Sequence, residues 1–85
     1  MTITLLSRAG CAACARALAD LRPLLDEFGA EFEEIDVDEA AATDPSLRAE
    51  YGDRLPVILL DGREHSYWDV DIPRLEADLR QGAGQ

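Results

Sequence analysis

The first third of the chain alternates between strand and helix patterns, and this alternation restricts the fold more than any other feature of the sequence. Thr2–Ser7 is β-branched and apolar, which predicts a strand. Apolar residues then recur at helical spacing, which predicts a helix from about Cys11 to Phe28 with Gly29 as its C-terminal stop. This stripe consists of Leu18, Leu21, Leu25 and Phe28. Glu31–Asp38 predicts a second strand, parallel to the first after a right-handed crossover.

The remainder of the chain predicts a short helix, a hairpin and a final helix. Asp44-Pro45 is a favourable start for the short helix. Val57–Leu60 is a continuous apolar run that is typical of a buried strand, and Asp61-Gly62 is a hairpin turn leading into a strand over Arg63–Trp68. The last helix is expected to begin near Asp71. Its apolar face would consist of Ile72, Leu75 and Leu79.

These elements follow the order βαβαββα, which defines an α/β fold with a mixed four-stranded sheet flanked by helices. The 85 residues leave room for one core, so residues 1–85 are expected to form a single domain with a frayed tail over residues 81–85. The 2 cysteines are too few for a disulfide-stapled secreted scaffold. No signal peptide or membrane span is recognisable, and a cytoplasmic monomer is expected.

The charge balance limits the partners. The chain has 18 acidic residues and 8 arginines, and its net charge of −10 disfavours nucleic acid and anionic membranes as partners. The charges are unevenly spread, because Arg8 and Arg16 are the only charged side chains between Met1 and Ala19. We therefore expect an electropositive island around the cysteines, in which Arg8 and Arg16 stabilise a thiolate.

The segment Cys11-Ala12-Ala13-Cys14 lies where the first predicted strand passes into the first predicted helix. The unpaired N–H groups and partial positive charge of a helix N-terminus stabilise a thiolate, which is the nucleophilic form of cysteine. Cys14 shares the apolar stripe of Leu18, so we expect a sheltered Cys14 and an accessible Cys11. Dithiol exchange requires an accessible attacking thiolate and a nearby resolving thiol. Cys11 is thus the candidate nucleophile, and Cys14 the candidate resolving residue.

Other interpretations of the cysteine pair stay open. A zinc site needs four ligands, and His65 is the one further soft candidate in the sequence, so we assign no metal ligand. Two chains together could hold a metal or an iron–sulfur cluster with two cysteines each. A structural bridge across so short a loop would stabilise the fold little. The fold could also serve as a binding module without catalysis.

The strand, the cysteine pair at the helix start, the Leu55-Pro56-Val57 strand entry and the Asp61-Gly62 hairpin together resemble a glutaredoxin-like protein of the thioredoxin superfamily. The resemblance extends from Thr2 to about Arg80, and it implies a thioredoxin-like fold and an oxidoreductase of cell redox homeostasis. It further implies that Pro56 is cis and lies against the cysteine pair. By the same resemblance, the backbone of Leu55 pairs with bound substrate, and Asp69 contacts the amine of glutathione.

Two departures from this family bear on the mechanism. Ala12 and Ala13 stand where typical relatives have a proline between the cysteines, and Ser66 and Tyr67 stand where glutathione-binding glutaredoxins have two glycines. One hypothesis is dithiol exchange with a disulfide-bearing protein or small-thiol substrate, followed by an unidentified reductant. The alternative is monothiol-type reduction, in which Cys14 is dispensable and glutathione or an equivalent low-molecular-weight thiol is the co-substrate. No bound cofactor is expected in either case.

The last predicted strand carries three residues that invite a functional interpretation, His65, Tyr67 and Trp68. Because buried aromatic residues dominate small cores, we expect Tyr67 or Trp68 to cap the core. His65 is expected to be a surface residue rather than a catalytic base.

Overall fold

A computed structural model of the chain describes residues 1–83. Its elements, in chain order, are β1 (Thr2–Ser7), α1 (Ala12–Phe28), β2 (Glu31–Asp36), α2 (Val37–Ala40), α3 (Ser46–Tyr51), β3 (Val57–Leu60), β4 (Arg63–Tyr67) and α4 (Ile72–Ala83). The α/β class and the predicted order are confirmed, with α2 as one additional short helix.

The four strands form one mixed sheet in the order β2-β1-β3-β4. β1 and β2 are parallel, as expected of a βαβ unit, whereas β3 is antiparallel to β1 and β4 is antiparallel to β3. The Asp61-Gly62 turn joins β3 to β4 with φ angles of 51° and 83°, the positive values that a tight hairpin requires. Ser7, Asp36, Val57 and Tyr67 therefore lie at the same end of the sheet, which we call the cysteine end.

Helices cover both faces of the sheet and create two apolar cores. Side chains of a strand alternate between faces, so Leu5 and Leu6 of β1 enter different cores. The larger core, under α1 and α4, includes Ile3, Leu5, Ala17, Leu21, Leu24, Ile58, Val70, Leu75 and Leu79. The smaller core, under α2 and α3, includes Leu6, Val37, Val57 and Leu59. Each buried leucine contributes roughly 1.5–3 kcal/mol, so these two cores stabilise the fold.

The second strand is shorter than predicted. It ends at Asp36, and the chain turns at once into α2. The Asp36 carboxylate accepts hydrogen bonds from the backbone N–H groups of Asp38 at 2.8 Å and Glu39 at 3.2 Å. This N-cap satisfies donors that have no partner at the start of a helix, and so it overrides the strand alternation.

The final helix also differs from its prediction. Leu75 and Leu79 are buried in the core, but Ile72 is 38% exposed, so its inclusion in the apolar face was wrong. The helix continues to Ala83, and residues 81–83 are therefore helical rather than a frayed tail. Residues 84–85 of that predicted tail lie outside the described part. Among residues 1–83, no helix has both the length and the apolar composition that crossing a membrane requires.

Candidate active site

The loop after β1 delivers Cys11 to the N-terminus of α1. Gly10 adopts φ 78°, a left-handed conformation that glycine tolerates without steric cost. The Cys11 backbone N–H then donates to the Arg8 carbonyl oxygen at 3.2 Å, which closes the loop. Cys11 itself is the N-cap of α1, with extended φ and ψ of −85° and 105°. The sequence therefore places this sulfur directly at the positive end of a 17-residue helix.

The two sulfurs occupy different environments. Cys14 is 4% exposed and packs on the buried side of α1, whereas Cys11 is partly exposed. The residues form a disulfide with a Cα–Cα distance of 5.2 Å. The backbone N–H of Cys14 also donates to Cys11 Sγ at 3.1 Å. A hydrogen bond from a fixed helical N–H favours the anionic form of a sulfur acceptor.

Two open clefts flank the cysteine pair. The first has a volume of about 420 Å³ and is lined largely by carbon atoms around Cys11, Cys14 and Leu18, with Arg8 and Glu34 at its rim. Glu34 accepts a hydrogen bond from Ser7 Oγ at 3.0 Å, which holds this carboxylate beside β1. The first cleft therefore exposes the disulfide to molecules from solvent.

The second cleft lies on the other side of the helix start. It has a volume of about 150 Å³ and is lined by Ala13, Arg16, Asp69 and Val70, among others. This cleft brings Asp69, which is distant in sequence, next to a residue between the two cysteines. Arg16 faces this second cleft and does not line the first one, where Cys11 is open to solvent.

Arg8, the other arginine expected to stabilise a thiolate, is paired with Asp38, an acidic residue that the sequence analysis did not identify. Arg8 Nε donates to Asp38 Oδ2 at 2.7 Å and Arg8 Nη2 donates to Asp38 Oδ1 at 3.2 Å. This pairing lowers the pKa of Asp38 and raises that of Arg8, chiefly through the shared hydrogen bonds. Arg48 lies 3.7 Å from the same carboxylate. Arg8 therefore lies beside the cysteines as expected, but the Asp38 carboxylate offsets its charge.

The Leu55-Pro56 segment enters β3 at the cysteine end of the sheet. The Leu55–Pro56 peptide bond is cis, as the resemblance implies, and Pro56 is fully buried. The next residue, Val57, pairs with Leu6 of β1, two residues before the loop that carries the cysteines begins. The Pro56 carbonyl oxygen accepts a hydrogen bond from the backbone N–H of Trp68 at 2.7 Å.

The residues of β4, together with Trp68 directly after it, contradict two expectations. Tyr67 and Trp68 are 45% and 58% exposed, so neither caps the core. His65 was expected at the surface, but its side chain is 5% exposed and its Nε2 lies 2.8 Å from Asp78 Oδ2 of α4. The cause is a β-bulge: Ile58 pairs with Ser66 and Leu59 pairs with Glu64, which leaves His65 as an extra residue in β4. The bulge turns the His65 side chain toward α4. The residues after the bulge therefore point to the opposite sheet faces from those that strict alternation predicts.

Among residues 1–83, no three His, Cys, Asp or Glu side chains cluster in a way that could hold a metal ion.

A mixed four-stranded sheet, a C-x-x-C pair at the N-terminus of α1 and a cis proline at the start of β3 define the thioredoxin-like class of proteins. Known proteins agree with this classification. Thioredoxin 1 from Thermosipho africanus superposes with a TM-score of 0.67 and 20% identity over 99% of this chain and 96% of that one. The protein XcR50 from X. campestris superposes with a TM-score of 0.67 and 32% identity over 93% of this chain and 96% of that one.

The sequence comparisons are more specific. The protein Rv0508 of Mycobacterium tuberculosis is 60% identical over 78 residues, which cover 91% of this chain and 80% of that protein. Residues 2–80 match the family model described as the glutaredoxin-like domain (DUF836). The chain therefore belongs to the glutaredoxin-like domain family.

Proposed function

We propose that this protein is a thiol–disulfide oxidoreductase that uses Cys11 as its nucleophile and Cys14 as its resolving thiol. The observation that carries the proposal is the placement of Cys11 Sγ at the helix N-cap, 3.1 Å from the backbone nitrogen of Cys14. A helix N-terminus favours the anionic form of a sulfur placed there, and Cys11 stays accessible from the first cleft. The neighbouring thiol is within reach, since the pair forms a disulfide in the structure.

The proposed exchange consumes the two electrons of the dithiol. The Cys11 thiolate attacks one sulfur of a substrate disulfide, a Cys11–substrate mixed disulfide forms, and the other substrate sulfur leaves as a thiolate. Cys14 then loses its proton and attacks Cys11 Sγ. This second step releases the remaining substrate sulfur as a thiolate and leaves the Cys11–Cys14 disulfide. A separate dithiol or two molecules of a low-molecular-weight thiol then return the pair to its reduced form.

The two cysteines provide a matched pair of variants for testing this order of events. Cys11→Ser and Cys14→Ser each replace one sulfur with a smaller oxygen and leave the rest of the side chain unchanged, but we expect opposite results. Cys11→Ser should abolish exchange with a disulfide substrate, because the hydroxyl is not ionised. Cys14→Ser should accumulate the mixed disulfide on Cys11, which mass spectrometry after acid quenching detects. Exchange at the wild-type rate by Cys11→Ser would contradict the assignment of the nucleophile.

A monothiol reaction is the second candidate, and the second cleft is the observation that favours it. Asp69 lines this cleft together with Ala13 and Arg16, and the family resemblance assigns Asp69 to the amine of glutathione. In this reaction Cys11 alone would remove a small thiol from a mixed disulfide. Cys14→Ser distinguishes the candidates, since it retains turnover of a glutathionylated substrate only in the monothiol reaction.

Equilibrium titration in glutathione redox buffers gives an independent measurement. Acid trapping and mass analysis report the fraction of Cys11–Cys14 disulfide and the fraction of glutathione adduct at each potential. A two-electron transition without an adduct would support dithiol exchange, whereas a persistent adduct on Cys11 would support the monothiol reaction. Thiols that stay reduced throughout the range of about −120 to −270 mV found among related oxidoreductases would contradict both.

A further inference from the structure

An exposed aromatic pair follows the bulge in β4 and lies at the cysteine end of the sheet. The rings of Tyr67 and Trp68 meet edge to face with their centroids 5.0 Å apart. More than half of the Trp68 side chain is open to solvent, although large apolar side chains are normally buried in a small domain. Solvent-exposed aromatic groups of this kind mark interaction surfaces. We call these two residues the aromatic patch.

The backbone beneath the patch holds it in an unfavourable conformation. Trp68 has φ 68°, in the left-handed region that a bulky side chain rarely adopts. Its N–H donates to the Pro56 carbonyl oxygen at 2.7 Å and is also 3.3 Å from the carbonyl oxygen of Arg54. Strained backbone of this kind persists where surrounding structure fixes it, and it concentrates at functional sites. These hydrogen bonds hold the backbone of Trp68 against the segment that enters β3 at the cysteine end.

The position of the patch suits a polypeptide substrate. Tyr67 pairs with Val57, and Val57 also pairs with Leu6, so the patch is two strands away from the loop that carries Cys11. Asp69, the next residue after the patch, lines the second cleft beside Ala13. The second cleft therefore connects the segment between the two cysteines with the residue that follows the patch.

The charges around the patch favour a basic partner. Asp69 follows the patch directly and is exposed, and the chain as a whole carries a net charge of −10. Asp53 and Asp71 are exposed as well, but each is paired with an arginine, Asp53 with Arg54 at 3.7 Å and Asp71 with Arg74 at 3.1 Å, so it is Asp69 and the net charge that favour a basic partner. The Arg54 guanidinium carbon lies 5.9 Å from the Tyr67 ring centroid and covers this ring. Among the described residues, no arginine covers the Trp68 ring in the same way. An external cation can therefore occupy the face of the indole.

We propose that the aromatic patch docks a basic segment of a disulfide-bearing protein substrate, with a lysine or arginine side chain over the Trp68 indole. This inference rests on the proposed function, because it names the class of substrate that the Cys11–Cys14 site reduces. Tryptophan is the best aromatic acceptor of a cation, and an exposed pair of this kind contributes about 0.5–1 kcal/mol while a desolvated one contributes more. The acidic surroundings add steering of a positively charged partner at low ionic strength.

The test uses two disulfide-linked peptides that differ only in their flanking charges, three arginines in one and three glutamates in the other. A small uncharged disulfide, hydroxyethyl disulfide, reports exchange chemistry without docking. The rates are measured with wild type, Trp68→Ala and Trp68→Phe. Phe32→Ala is the matched control, because Phe32 is an exposed aromatic residue on β2, the opposite edge strand of the sheet.

We expect wild type to prefer the basic peptide over the acidic one in kcat/KM, and Trp68→Ala to lose about 2- to 5-fold of that preference. Trp68→Phe should retain part of the preference, and Phe32→Ala all of it. A preference that Trp68→Ala leaves unchanged would show that net charge alone selects the substrate, and it would overturn the role of the patch. Exchange without any preference would also overturn it while leaving the proposed function intact.

A direct binding measurement separates the two proposals further. Trp68 is the only tryptophan in the chain, so its fluorescence reports occupancy of the patch alone. The oxidised protein is titrated with the same peptides carrying serine in place of cysteine, which cannot exchange disulfides. Quenching by the basic peptide and not by the acidic one supports docking, even if no substrate is reduced. Equal or absent quenching by both peptides contradicts it. Absence of exchange with all three disulfides counts against the proposed function instead.

Discussion

Replacing Trp68 with alanine and with glycine measures the backbone strain at the aromatic patch. Within a helix or strand, a protein with glycine is normally less stable than the same protein with alanine, by about 0.5–1 kcal/mol, because glycine loses more conformational freedom on folding. At Trp68 the backbone has φ 68°, and the left-handed region costs a residue with a Cβ atom roughly 1–2 kcal/mol. We therefore expect the usual order to reverse at this position.

The magnitude follows from the difference between these two terms. Both variants remove the indole and lose the same buried area, so this contribution cancels in the comparison. The remaining steric penalty of alanine exceeds the entropy cost of glycine, and Trp68→Gly should be more stable than Trp68→Ala by about 0.5–1 kcal/mol. For a domain of this size, such a difference corresponds to a Tm that is higher by roughly 2–8 °C.

Urea unfolding followed by circular dichroism measures this difference with the cysteines kept oxidised. The control is Ala19→Gly, an exposed position inside α1 where the same exchange of alanine for glycine should destabilise the protein by about 1 kcal/mol. If glycine gives a higher free energy of unfolding than alanine at position 68 but a lower one at position 19, the Trp68 backbone is strained in solution. If Trp68→Ala is as stable as Trp68→Gly or more stable, the left-handed conformation is absent in solution, and the argument from stored strain fails.

Two further predictions concern contacts outside the patch. The pKa of Asp38 is lowered by Arg8, so the pair stabilises the folded state above the ordinary value of 3.8 and this contribution is lost as the pH falls through the lowered pKa. Asp38→Asn should therefore flatten the acid limb of a stability–pH profile, and an unchanged acid limb would show that the pair does not persist in solution. His65→Ala should destabilise the protein by about 2–3 kcal/mol, since it removes a buried ring and the partner of Asp78. Chemical unfolding with wild-type stability would contradict this prediction.

The elements with local signals were predictable from the sequence. The helical spacing from Cys14 through Leu21 placed the sheltered cysteine on the buried side of α1, and the structure shows it there. Gly29 ends the helix in a left-handed conformation, with φ 63°. The Asp61-Gly62 turn likewise specified its hairpin. In each case, a few neighbouring residues determine the local backbone conformation, and tertiary packing does not change it.

The end of β2 shows a conflict between two local signals. The alternation of Ile35 and Val37 with aspartates predicts a strand, and the same aspartates are favourable residues for a helix N-terminus. The capping interaction of Asp36 prevails, because Val37 still reaches the smaller core from the first residue of α2. The cap motif was therefore visible in the sequence, but alternation alone could not show which signal would prevail.

The bulge in β4 could not be predicted from alternation, since one extra residue reverses every side chain that follows it. His65 is buried because α4 provides Asp78 as its partner, a contact between residues distant in sequence. Trp68 follows the end of β4 with a left-handed φ of 68°, so alternation along the strand does not determine where its side chain points. The exposure of this residue, on which our proposal depends, therefore could not be predicted from the strand pattern.

The electrostatics of the cysteine site show the same distinction between local and tertiary effects. In the sequence, the cysteines lie in a segment whose only charges are arginines. In the fold, Ser7 pairs with Asp36 across the parallel strands, and this pairing brings the start of α2, with Asp38, next to Arg8. The acidic partner offsets the charge that was expected to stabilise the thiolate. The backbone N–H of Cys14 at the start of α1 donates to Cys11 Sγ at 3.1 Å, and the helix itself fixes this donor. We therefore expect a Cys11 thiolate to be stabilised chiefly by the helix N-terminus rather than by Arg8 or Arg16.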